Sequence, residues 1–379
     1  MHAVTDEPNR TTPKARTIRS VTALADAGLL GSVDLAAIDQ VAARFAISIT
    51  PTMVEQMTTS PDDPVARQFV PSVDELRVDA DEMADPIGDQ PYSPVPGITH
   101  RYRDRVLLKP LHVCPVYCRF CFRREAVGPG QGLLSEEHLA GALAYIEQRP
   151  EIWEVILTGG DPLLLSPARL RRIIAELDGI LHVGVIRIHT RVPIVAPERI
   201  TTEQIETLCV ETPVWTVVHC NHRQELGSES RAALRRLTNA GVPLLSQTVL
   251  LKGVNDTAEA LEQLFRALVA LKVKPYYLHQ GDLASGTSHL RTTIAAGQDL
   301  MQRLRGPVSG LCQPVYVLDI PGGFGKVPIS ASYLDEDLNG YLVRDPNGVA
   351  HRYAPHTALP TVSPDGGSAG RPVEPGRST

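Results

Sequence analysis

Residues 114 to 125 read CPVYCRFCFRRE and set cysteines at 114, 118 and 121, a C-x3-C-x2-C spacing. The other cysteines, at 209, 220 and 312, are too distant in sequence to complete a compact four-thiolate site. A structural zinc site closes its tetrahedron, whereas a site that does chemistry keeps a position open for an exogenous ligand. Three thiolates on a four-iron cluster would leave one iron for such a ligand. The spacing, with an aromatic residue just before Cys121, favours iron-sulfur. Zinc completed by a distant His or Cys, and simple buried cysteines, are the competing readings.

Further segments carry reactive types. LTGGDPLLL places Gly159, Gly160 and Asp161 where backbone can approach a ligand and a carboxylate can accept from an ammonium or a ribose. Taken alone it also reads as a strand-to-helix turn. In DIPGGFGKVP, Lys326 follows a glycine-rich turn and could reach into a site, where a lysine amine forms a Schiff base with an aldehyde such as that of pyridoxal 5'-phosphate (PLP). An exposed loop lysine is the ordinary alternative. His219 in VVHCNH and Gln247 in LLSQTVL each end an apolar run and read equally as satisfied core residues.

Positioning these groups requires a regular scaffold, and the pattern after Gly97 supplies one. Short β-branched runs (RVLLKP, EVILTGGDP, VGVIRIHTR, VWTVVHCNH, PLLSQTVLL, KPYYLHQGD, QPVYVLDIPGG) alternate with amphipathic stretches such as EEHLAGALAYIEQRP and TAEALEQLFRALVAL. At least six βα units of this kind demand a parallel sheet with crossover helices, either a barrel or an open doubly wound sheet. The runs end in polar or glycine-rich residues, which collects reactive groups on one rim as in an α/β barrel. The fold class expected is α/β, a partial (β/α)6-type parallel barrel with an N-terminal helical extension and a short C-terminal segment. Its divisions fall at 1–96 (helices and an acidic linker), 97–326 (barrel core) and 327–379 (C-terminal segment). Residues 60–89, rich in Asp, Glu and Pro, read as a mostly solvated connection around a short helix, the first twenty residues as loose, and the tail after Thr357 as disordered.

Composition narrows the class. With 379 residues, 43% hydrophobic and 21% charged, the chain reads as a soluble globular protein with a large core. No apolar run is long enough to span a bilayer and the N-terminus lacks a signal-peptide pattern, which points to the cytoplasm. A net charge of -6 argues against nucleic acid as a partner. Six cysteines are too few for a disulfide scaffold of this length.

The cluster motif C-x3-C-x-F-C at the end of the first barrel strand resembles that of the radical S-adenosylmethionine (SAM) enzymes, and CRFCFRRE resembles their lysine 2,3-aminomutase branch. The motifs run in the family's order from about residue 60 to 355. The resemblance implies a [4Fe-4S] cluster on Cys114, Cys118 and Cys121, with SAM on the open iron. It implies SAM contacts at Gly159, Gly160 and Asp161, SAM or phosphate contacts at His219 and Gln247, and PLP on Lys326 with its phosphate held by Arg101 and Arg105; Arg103 reads as a surface residue. It implies Arg123 for the substrate carboxylate and Asp282 with Asp319 for the ε-ammonium of lysine. The activity implied is an aminomutase, an isomerase that moves the α-amino group of L-lysine to C3. L-arginine, a lysine of elongation factor P, a radical SAM enzyme of another kind and a non-catalytic iron-sulfur protein are the alternatives. The partners implied are a small-molecule amino acid, an electron donor such as flavodoxin or ferredoxin, and a second copy of the chain in a homo-oligomer. Two features depart from the family: Phe324 stands where several members have glycine, and no cysteine follows Cys312 for the zinc cluster that some members carry.

Overall fold

The computed structural model describes residues 16–353 apart from 32, 59, 131, 338 and 339. The expectations of a loose start and a disordered tail fall, for residues 1–15 and beyond 353, outside the described residues. The chain divides between Ala331 and Ser332 into two compact units.

The first unit is built on a nine-stranded sheet in sequential order: β1 (Ile98–Tyr102), β2 (Arg105–Leu111), β3 (Glu154–Gly159), β4 (Val185–Thr190), β5 (Val214–His219), β6 (Leu244–Val249), β7 (Val273–His279), β8 (Val315–Ile320) and β9 (Gly325–Pro328). Strands β2 to β8 are parallel, while β1 pairs antiparallel with β2 and β9 antiparallel with β8. A doubly wound sheet reverses its strand order at a switch point. The unbroken order found here, with β1 and β9 as separate edges, is that of an open barrel. The seven runs read as strands are β2 to β8; the flanking β1 and β9 had no signal beyond short, charged sequence.

Among the described residues, eleven helices accompany the sheet. Four short ones precede it: α1 (Val21–Asp26), α2 (Leu35–Arg44), α3 (Pro51–Gln56) and α4 (Ala66–Phe69). The others are α5 (Glu136–Glu147), α6 (Pro167–Asp178), α7 (Val192–Val195), α8 (Thr202–Glu206), α9 (Ser228–Asn239), α10 (Ala258–Ala270) and α11 (Ile294–Leu304). Several start where a side-chain oxygen satisfies an orphan amide: Ser135 accepts from His138 N, Ser166 from Arg169 N and Thr257 from Ala260 N. Their apolar stripes pack on the outer face of the strands, where Leu108, Val155, Ile186 and Leu244 are buried. No helix among the described residues is long and apolar enough to cross a membrane.

Residues Leu24, Ile38, Ile49 and Met53 share one apolar cluster with the barrel strands, so the N-terminal helices are part of the barrel's core. The acidic stretch 60–89 is solvated over most of 73–84 but not throughout. Gln68, Phe69 and Glu75 are fully buried, and two of its acids face internal partners: Glu75 meets Arg119 and Arg124, and Asp89 meets Arg101 and Arg123. Part of its charge density therefore reflects ion pairing inside the protein.

The second unit is a three-stranded antiparallel sheet of β10 (Leu334–Asp337), β11 (Gly340–Arg344) and β12 (Ala350–Tyr353). Asp345 shapes the β11–β12 turn, its Oδ1 accepting from Asn347 N at 2.8 Å and Val349 N at 2.9 Å.

Candidate active site

The barrel encloses a cavity of about 820 Å³, and every residue singled out above as a ligand or substrate contact lines it. The cysteine loop leaves β2 and is held from outside. Tyr117 N donates to Ser48 O and Arg119 N to Gln68 O. Arg119 Nε donates to both oxygens of Glu75, at 2.9 and 3.1 Å, and Arg124 grips the same carboxylate. Burial alone would raise the Glu75 carboxyl; the two guanidiniums override it and hold it below its usual range. These two arginines of the motif therefore fix the loop.

The three cysteines are half-buried and line the cavity. Burial pushes all of them up, Cys121 to about 11, and the neighbouring Cys118 adds to the effect on Cys121. Left alone they stay protonated, and a bound metal is what turns such groups into thiolates. No three His, Cys, Asp or Glu side chains among the described residues are grouped to hold one metal ion. Three thiols on one loop that all line one cavity are a donor set that suits a cluster with one iron left open. Arg191, at the end of β4, escaped the sequence reading. Its Nη1 donates to Cys118 Sγ at 2.7 Å, and Nη2 reaches Gln68 Oε1 at 2.7 Å and Glu225 Oε2 at 2.6 Å.

Gly159 and Gly160 end β3 for a reason the backbone shows. Gly159 has φ of +100°, and a Cβ there would lie 2.6 Å from Leu111 O; one on Gly160 would lie 2.3 Å from Val113 O. Close approach of β3 to the root of the cysteine loop thus requires glycine at both. Asp161 is saturated by the protein. Oδ1 accepts from Thr190 Oγ1 at 2.7 Å and Leu163 N at 3.2 Å, and Oδ2 from Arg191 N at 2.7 Å and Val192 N at 3.1 Å. Four hydrogen bonds fill a carboxylate, so Asp161 ties the β3 and β4 ends together and leaves no lone pair for a ligand.

A cationic corner lies beside the cluster loop. Asp89, also missed from sequence, joins two of the expected ligand arginines: its Oδ1 accepts from Arg101 Nη2 at 2.9 Å, and its Oδ2 from Arg123 Nη2 at 3.0 Å and Nε at 3.3 Å. Lys109 stands close by with Nζ on Thr99 Oγ1 at 2.7 Å; burial, then Arg123, lowers its ammonium below the usual lysine range. Arg105 sits apart from this group. It stacks on Tyr102 and pairs with Asp104, sharing no partner with Arg101 among the described residues.

A second charged group gathers around the β8–β9 hairpin. On the β8–β9 hairpin Lys326 pairs across from Asp319 and its Nζ contacts that carboxylate, with His279 Nδ1 3.2 Å away. Asp319 is held well below the carboxylate range: burial alone would raise it, and His279 and Lys326 outweigh that. Asp282 behaves oppositely, pushed up to about 7 by burial and then by Asp319. A register shift between β6 and β7 sets Ser246 against Pro275 and Gln247 against Tyr277, so both Tyr276 and Tyr277 line the cavity with their hydroxyls 2.9 Å apart. His219 stacks on Phe120 at 5.5 Å, beside Gln247 on the next strand, and its buried Nε2 has no hydrogen-bond partner among the described residues. The strand-end rule found His219 and Gln247; applied to β7 it would also have found His279 and the tyrosines.

The chain is similar in sequence to proteins of known activity. The sequence pattern of the radical SAM superfamily matches residues 108–267. Over 310 residues, 81% of this chain and 74% of the relative, it is 41% identical to the L-lysine 2,3-aminomutase of Clostridium subterminale. Against the L-lysine 2,3-aminomutase of Acetoanaerobium sticklandii it is 42% identical over 309 residues, 81% of this chain and 75% of the relative. The glutamate 2,3-aminomutase of Clostridioides difficile is 37% identical over 281 residues, 74% of this chain and 66% of the relative. At this identity and coverage, the chain belongs to the lysine 2,3-aminomutase family of radical SAM isomerases.

Proposed function

We propose that the protein converts free L-lysine to β-lysine with the help of PLP. The observation that carries this reading is the set of charges lining one cavity: Arg101 and Arg123 joined by the single carboxylate of Asp89, and Asp282 with Asp319. A zwitterion with a cationic side chain fits that set. A glutamate side chain would face the two aspartates and be repelled.

The cluster with SAM supplies a hydrogen-abstracting radical, and PLP supplies the carbonyl chemistry that activates the amino group. Cys114, Cys118 and Cys121 would hold the cluster, and His219 and Gln247 stand on the same rim to meet SAM. Gly159 and Gly160 shape that rim by backbone packing, and Asp161 acts by fixing it. Lys326 would carry PLP, with Arg101 and Arg105 as phosphate partners. Arg123 is gripped by Asp89 through Nε and Nη2, so its Nη1 end remains for a substrate carboxylate. In the ligand-free protein Asp319 is paired with Lys326, whereas Asp282 beside it has no ion-pair partner among the described residues, so Asp282 is the carboxylate open to the substrate's ε-ammonium. The barrel wall excludes water from the radical's path. A low-potential donor of the flavodoxin or ferredoxin class fits the need for an electron.

The test is an anaerobic assay of reconstituted protein with L-lysine, SAM, PLP and a strong reductant, read by mass spectrometry. β-Lysine that disappears in Cys118→Ala is the expected result. SAM cleavage without β-lysine, together with a β-amino product from L-arginine or from a protein lysine, would overturn the substrate assignment.

A further inference from the structure

His279 closes β7 with its ring in the cavity and has no part in the function proposed so far, although the inference that follows rests on Lys326 as the cofactor lysine. Its Nδ1 lies 3.2 Å from Lys326 Nζ and 3.4 Å from Asp319 Oδ2, while its Nε2 is buried without a hydrogen-bond partner among the described residues. An ammonium only donates, so Nδ1 accepts from Nζ when the ring proton sits on Nε2, and in the other tautomer the same Nδ1 donates to Asp319 Oδ2; one ring atom thus serves both partners. Burial, then the charge of Lys326, lowers the imidazole below its ordinary range, which leaves it neutral near pH 7. Asp319, held far below the usual carboxylate range, is a counter-ion too weakly basic to take the lysine's proton. Besides these two, the titratable groups around His279 are Tyr277, whose ring meets it edge-on at 5.6 Å, Asp282 beyond β7, and His189 and His219 on β4 and β5.

We propose that His279 is the proton carrier of Lys326, taking a proton from Nζ at Nδ1 so that the lysine nitrogen can attack a carbonyl carbon, then delivering it to the departing oxygen. The N–C bond forms and the C–O bond breaks. Of the three ammonium protons, two leave with the carbonyl oxygen as water and one stays on nitrogen, with the positive charge conserved and no oxidant or reductant needed. The same residue serves the reverse step, when Lys326 is released and must again become an ammonium beside Asp319.

The experiment uses the full chain with PLP as the probe. Borohydride stops the reaction at timed intervals between about pH 6 and pH 9, and the label on the Lys326 peptide is counted by mass spectrometry. Wild type is expected to label at Lys326. Positioned general bases contribute about 10²-fold or more, so His279→Ala should label at least tenfold more slowly near pH 7, with the deficit shrinking as pH rises. Free imidazole should restore the rate in His279→Ala. His279→Asn keeps an acceptor near the Nδ1 position but carries no proton, and should be as slow as His279→Ala. Wild-type labelling rates in His279→Asn, or failure of imidazole to restore a folded His279→Ala, would overturn the proposal. If far-UV circular dichroism shows His279→Ala unfolded, the labelling rate of His279→Asn against wild type decides the question. Absence of label on Lys326 in wild type would instead remove the PLP reading on which the inference stands.

Discussion

Asp282 offers a sharp test of the substrate assignment, because its charge changes within an accessible pH range. Its carboxyl is pushed up to about 7, first by burial and then by Asp319. Below that pH the pair carries one negative charge, already neutralised by Lys326 in the ligand-free protein; above it, a second negative charge appears without a cation of its own. If L-lysine binds only the ionised form, the apparent Kd scales as 1 + 10^(7 − pH), so affinity rises about tenfold from pH 6 to pH 8. A tenfold change is about 1.4 kcal/mol, modest beside the ~4 kcal/mol attraction of two charges 4 Å apart at an effective dielectric constant of 20. The substrate's own α-amino and ε-amino groups stay largely protonated over that interval, so the slope belongs to the protein. Calorimetric titration of the PLP-free protein with L-lysine, in which Lys326 keeps its ammonium beside Asp319, reads it directly. Asp282→Asn should bind at least tenfold more weakly than wild type at pH 8 and show a flat profile. The same slope in wild type and Asp282→Asn would refute the role given to this carboxylate, and a flat wild-type profile would refute its titration near 7.

Three further outcomes follow from packing. Arg191→Met leaves Glu225 buried with Oε2 stripped of its partner and should cost about 3–5 kcal/mol by denaturant unfolding; Arg191→Met with Glu225→Gln should recover much of that loss, and a double variant no more stable than the single would contradict the account. Gly160→Ala drives a Cβ into the backbone of Val113, next to Cys114, and should cost about 3 kcal/mol or more and lower iron content after reconstitution. Gly141→Ala, in the interior of α5 with nothing within 4 Å of the added carbon, should stabilise by about 0.5–1 kcal/mol in the same assay.

The barrel was legible because its strands are buried runs of Val, Ile and Leu, flanked by helices whose apolar spacing has the other period; β3, almost wholly buried, shows this most plainly. The edge strands β1 and β9 were not, since four or five half-exposed residues carry no alternation long enough to read. The cysteines, Lys326 and the two aspartates were legible as types at strand ends. Their partners were not, for a reason visible in Asp89 and Glu75: a stretch dense in acids looks solvated throughout until the arginines that pair with these two, 12 to 49 positions away, are known.

The same distance explains why the scaffold role of the GGDP turn was not legible. Its sequence invites a ligand-binding loop, and its side chains also serve the scaffold: the missing side chains of Gly159 and Gly160 make room for the backbone at Leu111 and Val113, and the Asp161 oxygens are filled largely from β4. A short conspicuous motif can therefore line a site through its backbone while its side chains hold the fold. What distinguishes such a side chain from one that meets a ligand is whether its polar atoms have vacancies left. By that measure Asp161 and Glu75 are closed, whereas His219 and His279, which line the cavity, each keep a buried Nε2 that no described residue meets. Both come from the least conspicuous signal in the sequence, a polar residue at the last position of an apolar strand.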